Sequence, residues 1–127
     1  MIQIWSQQEL FNKSNLVVIA TPIATGDTKE HGPLPVAGFH DQRVIGVETT
    51  FAVIAVLKGA LAGKTLILHH YRADGMQVPN GPWLVSFDPK LKQGFRLYLV
   101  RQAHGRYAPT EGQLDPELSM YLLSNAR

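Results

Sequence analysis

Cysteine is missing from this chain altogether. Its absence removes disulfides, thiolate zinc sites, iron–sulfur clusters and a cysteine nucleophile together. It leaves the compartment open, because a core built from 127 residues stands in either redox setting. Charge is sparse as well: charged residues make up 17% of the chain, and twelve basic against ten acidic side chains leave a net charge of +2. With 45% hydrophobic residues, that composition argues against disorder. The near balance implies only a weak general attraction to nucleic acid or to an anionic membrane. No apolar run approaches the ~20 residues of a membrane-spanning helix. The longest, Leu16 to Ala20, is short and β-branched. The start, MIQIWSQQEL, has neither the basic segment nor the apolar stretch of a secretory leader. The expectation is a cytoplasmic protein, or a mature chain whose leader has been removed.

What is present reads as one domain over residues 1–127, mainly of β-strands, with no internal repeat and no linker. Ser6-Gln7-Gln8-Glu9 spells a capping box and predicts a helix over residues 6–13, docked through Leu10 and Phe11 because two turns do not persist alone. Residues 16–25 predict a buried strand in which Pro22 marks an edge or a bulge. Residues 26–43, rich in Gly, Pro and scattered charge, read as a long loop that is either functional or mobile. The clearest strand covers residues 44–58. Val47, Thr49, Phe51, Val53, Ala55 and Leu57 fall on one face, and Phe51, Val53 and Leu57 are expected to point inward together. Fifteen residues is long for one strand, which suggests coiling around a barrel. Gly59 and Gly63 then supply a hairpin turn, and residues 64–73 form the next strand, in which His69 and His70 occupy opposite faces. A polar loop follows over residues 74–82, with Pro79-Asn80-Gly81-Pro82 as its turn signal. Short strands are expected over residues 83–87 and 95–101, and an extended piece over 106–109. Asp115, Pro116 and Glu117 start a C-terminal helix whose stripe is Leu118, Tyr121 and Leu122.

The stretches LVVIATPIAT, VETTFAVIAVLKGALAGKTLILHHYR and FRLYLVRQAHGRYAPTEGQ, in that order, resemble a group of small bacterial proteins. Their barrels are similar to the OB-type N-terminal domain of tissue inhibitors of metalloproteinases. The motif F-x-V-x-x-V-L-K-G at Phe51 to Gly59 carries most of the likeness, followed by F-x-L-Y-L-V-R and the short G-x-Y strand at Gly105 to Tyr107. The resemblance spans roughly residues 9 to 124 and implies a five- to six-stranded antiparallel OB-like barrel with a short helix near each end. Those inhibitors chelate protease zinc through an N-terminal cysteine, which this chain lacks, so that mechanism does not carry over. The OB-fold helix between strands three and four also has no counterpart in residues 74–82.

No residue set completes a catalytic or metal signature. His69-His70 are adjacent on a strand and cannot easily grip one ion, so the expected arrangement is one imidazole half-buried and hydrogen-bonded, the other facing water. His31, His40 and Asp41 match no zinc spacing and read as a solvated loop. Ser86, His104 and Asp88 could in principle form a triad, but there is no G-x-S-x-G elbow and Ser86 lies between Val85 and Phe87 in a predicted strand. Gly59, Gly63, Lys64 and Thr65 fall one residue short of a phosphate loop and precede a strand rather than a helix. Lys90, Lys92, Arg96, Arg101 and Arg106 form a basic stretch. Arg96 and Tyr98 share a strand face, as do His69 and Tyr71. These residues with Arg72 are the candidate binding residues: His69, Tyr71, Arg72, Arg96 and Tyr98. The leading expectation is a non-enzymatic module that binds a protein or peptide through the loops 26–43 and 73–82, with no cofactor. A single-stranded nucleic-acid binder, needing outward rings and a basic groove, ranks second, and a metal-dependent or hydrolytic enzyme third.

Overall fold

Ser6 opens the helix α1 (Gln7–Lys13) through the capping box: its Oγ accepts from the Glu9 N–H, and the Glu9 carboxylate accepts from the Ser6 N–H, both at 3.1 Å. The Lys58 ammonium donates to the carbonyls of Phe11 and Asn12, placing a cation where the helix dipole is negative. Leu10 and Phe11 seat this helix on Val17 and Tyr98. The computed structural model describes residues 6–35, 40–76, 84–110 and 120–123. Among them α1 is the one α-helix, and no helix is long and apolar enough to cross a membrane.

The rest is mainly strand: β1 (Leu16–Pro33), β2 (Arg43–Lys58), β3 (Thr65–Ala73), β4 (Gly94–Arg101), β5 (Tyr107–Pro109) and β6 (Met120–Leu123). β1 pairs with β2, β2 with β3, β3 with β5, β5 with β4, and β4 back with β1, so five strands close into a ring; β6 adds to β4. All pairings are antiparallel except the single bridge of Leu68 to Tyr107. The interior holds Leu16, Val18 and Ala20 of β1, Phe51 of β2, Leu66 and Leu68 of β3, and Leu97 and Leu99 of β4. Phe87, partly buried, packs against this core, edge-on to Phe51 at 4.9 Å and to Phe95 at 5.1 Å between centroids. The β2–β3 turn uses Gly59 and Gly63, both at positive φ. A Cβ on Gly59 would collide with the Asn15 carbonyl, so glycine is required there on two counts.

Four expectations need correction. Residues 26–33 are not loop: β1 runs to Pro33, paired with residues 43–48 of β2, whose other edge holds β3, and it is polar because it is an edge whose side chains are mostly exposed. Leu57 does not point inward; it is 46% exposed. Between the pairs Val17↔Lys58 and Val18↔Val56 the register skips Leu57, and between Ile19↔Ala55 and Ala20↔Val53 it skips Ile54. A bulge takes its residue out of the inward–outward alternation, and Val53 is the last of the expected row to pack on the core. Pro22 sits at a third such point, where β1 carries the extra residue Ile23. Residues 84–87 are not a strand; Leu84 makes one isolated bridge, and Trp83 lies outside the described residues. Residues 120–123 are strand, not helix, because β4 offers Gly94 to Leu97 an unpaired edge that they fill. The expected helix start at Asp115, like the turn at residues 79–82, lies outside the described residues.

Candidate functional site

On the outer face of β2 and β3, Glu48 lies opposite His69 and Gly46 opposite Tyr71. Across from Gly46 the partner strand β1 presents three residues, Thr28, Lys29 and Glu30, between the pairs Asp27↔Val47 and His31↔Ile45. This wide bulge folds over Gly46, where a Cβ would stand 2.5 Å from Glu30 Oε1 and 2.6 Å from Thr28 Oγ1. Thr28 Oγ1 fixes the bend by donating to the Gly46 carbonyl at 3.1 Å and accepting from the Glu30 N–H at 3.1 Å.

Glu30 thereby reaches β3. Its Oε1 lies 2.7 Å from His69 Nε2, and its Oε2 accepts from the Tyr71 hydroxyl at 2.9 Å. On the other side His69 Nδ1 lies 3.0 Å from Gln102 Oε1, in the β4–β5 connection. Next to it Arg106 donates to Glu48 at 3.1 Å. Burial works against the charge on Glu30, yet the hydrogen bonds from His69 and Tyr71 outweigh it and hold the carboxyl below its ordinary range. Burial and the hydrogen bond to Glu30 push Tyr71 up to about 12. The protons of this cluster are held in short bonds between side chains, an arrangement that ties the β1 extension to β3 and the β4–β5 connection.

Inside the ring His70 takes a separate path. Its Nε2 is 2.7 Å from Thr49 Oγ1, which is 2.8 Å from Thr25 Oγ1. Burial, opposed by a hydrogen bond with the Val85 backbone, pushes its pKa down to about 4. The two histidines do lie on opposite faces, but neither faces water: His69 is 4% and His70 3% exposed. The expectation of one wet imidazole fails because the Glu30 bulge and Gln102 cover the outer ring. Among the described residues no three His, Asp or Glu side chains gather to hold a metal, and no hydrogen bond links Ser86, His104 and Asp88.

The candidate binding residues fall in three places. His69 and Tyr71 belong to the outer cluster, their rings edge-on at 4.9 Å. Arg72 makes two hydrogen bonds to Asp27, at 2.8 and 2.7 Å, and this guanidinium holds the Asp27 carboxyl below its usual range. Arg96 and Tyr98 lie under α1: Arg96 donates to Gln7 at 3.2 Å and stands over the Tyr98 ring, which is 3% exposed beneath Leu10. The five do not form one surface. Glu30, Gln102 and Glu48 were missed from the pattern, and Arg106 was read only as part of a basic stretch; the signal was Gly46, a glycine within the strongest strand, which marks a bulge or a close approach.

One further feature was hidden by the alternation. Past Val53, whose N–H still donates to the Lys64 carbonyl, residues 54–58 pair only with β1 among the described residues. That free edge carries Ile54, Val56 and Leu57, all exposed. The chain matches no protein-family model, no curated protein and no solved structure.

Proposed function

We propose that this chain is an OB-type barrel, resembling the N-terminal domain of tissue inhibitors of metalloproteinases, and that it works as a non-enzymatic module binding an extended peptide segment of another protein. Support for the barrel comes from the ring order β1-β2-β3-β5-β4, closed through β1 and β4 with one parallel pairing of β3 and β5. The binding reading is carried by the free edge at residues 54–58. An unpaired strand edge with apolar side chains accepts an added strand: the main chain supplies affinity and alternate side chains supply selectivity. Lys58 is drawn away to the helix carbonyls, so the edge offers backbone groups and methyl groups rather than charge. An uncharged, β-branched partner segment fits it. The rings that a nucleic-acid platform would need, His69, Tyr71 and Tyr98, are covered, which favours the peptide over the single strand.

Selection from a random-peptide display library tests this. The expected winners alternate apolar and polar residues, and Val56→Lys weakens them about tenfold or more, while Lys90→Glu leaves them unchanged. If nothing is enriched, or if the enriched peptides bind Val56→Lys as well as the parent, the edge is not the site.

A further inference from the structure

Lys58 closes the free edge of β2 and is the one charged residue between positions 54 and 58. It stands opposite Val17, which α1 covers, so its side chain lies on the helix side of the sheet. There the ammonium donates to the carbonyls of Phe11 at 2.7 Å and Asn12 at 3.1 Å, and it stands 5.2 Å over the Phe11 ring. The next residue, Gly59, packs so close to the Asn15 carbonyl that no Cβ fits between them. The end of the edge is therefore fastened to the end of α1 by a side chain and by backbone.

α1 is itself held from outside. It rests on Val17 and Tyr98 through Leu10 and Phe11, and a helix of this length does not persist alone. Short peripheral elements open at less cost than the whole fold. If α1 leaves, both carbonyl partners of Lys58 leave with it, and the ammonium returns to the end of the edge. A residue that an added strand sets opposite Lys58 has its Cβ about 5 Å away, within reach of an ion pair. While α1 is docked the ammonium is turned to the helix carbonyls, and their negative dipole end disfavours an acid placed beside them.

We infer that α1 sets the charge preference of the β2 edge through Lys58. Docked, α1 withdraws the ammonium and the edge takes uncharged segments; undocked, it releases Lys58 and the edge takes segments with an acidic residue opposite it. This rests on the peptide reading of the edge given above. Linkage makes it reciprocal: an acidic partner draws Lys58 away and loosens α1.

Two short blocked peptides of alternating valine and threonine are the probes, one with glutamine at each end, the other with glutamate. Either strand direction then sets an end residue near Lys58. Asn12 is exposed, and Asn12→Pro unwinds the last turn of α1 without touching the core; Leu10→Ala serves if that variant does not fold. The parent is expected to hold the glutamine peptide at least as tightly as the glutamate one. Asn12→Pro shifts the ratio about threefold toward glutamate at low salt, and adding Lys58→Met cancels the shift. In the ¹⁵N-labelled parent the Lys58 Nζ signal is expected apart from those of exposed lysines, and in Asn12→Pro among them. The inference is overturned if that signal already lies among them in the parent, if both peptides bind but a folded variant leaves the ratio unchanged, or if the shift survives Lys58→Met. If neither peptide binds parent or variant, no strand adds here, and the edge reading falls together with this one.

Discussion

Gly46 and His70 show how single residues set local terms here. At Gly46 the smallest addition, a methyl group, meets Glu30 and Thr28 at less than normal contact distance. Gly46→Ala is expected to push Glu30 off His69 and Tyr71 and to cost about 1–3 kcal/mol in urea unfolding. In a Glu30→Ala background the same change costs less, which distinguishes a displaced carboxylate from a general loss of strand. His70 governs acid sensitivity. It titrates at about 4 when folded against an ordinary 6.5, so below 6.5 the unfolded chain binds the extra proton and stability falls as pH drops toward 4. The full contribution is present above 6.5, and its loss amounts to roughly 3 kcal/mol. Urea midpoints between pH 7 and 4 should show this slope in the parent and not in His70→Gln. Glu30, held below its ordinary 4.5, contributes above that value and fades only as pH falls further, so the two windows are separable.

Elements are held by what they cover. α1 has two turns and would not persist in water alone; it is stable because Leu10 closes over Val17 and Tyr98 while Lys58 caps its end. Leu10→Ala is expected to cost about 2–4 kcal/mol and to raise quenching of Tyr98 fluorescence by acrylamide. If stability is unchanged, the helix is not what covers that face. The same reasoning accounts for β6. Its side-chain spacing alone suits a helix, but an open β4 edge satisfies its backbone instead, and pairing overrides pattern.

For the molecule as a whole, the question of partner turns on which surfaces the closed ring leaves open. Arg96 and Arg106 of the basic stretch are engaged with Gln7 and Glu48, and net charge is +2. Fluorescence anisotropy with mixed single-stranded oligonucleotides should therefore show no salt-sensitive binding up to roughly tens of micromolar. Tight binding that weakens steeply with salt would bring the nucleic-acid reading back in front. Much of this architecture was legible in residue order. The capping box at Ser6, the glycines of the β2–β3 turn, the buried start of β1, and the opposed faces of His69 and His70 all follow from local geometry. The bulges were not legible. Whether Leu57 is inside or outside depends on how many residues β1 sets against it, and that count belongs to the partner strand. Glu30 reaches His69, 39 residues away, only because β1 carries three residues where β2 has Gly46. Sequence thus determined the β-rich class and the local turns, through φ/ψ preference and side-chain period. Register, the free apolar edge and the hold of Lys58 on α1 were decided by the tertiary structure, because each depends on contact between segments distant in the chain.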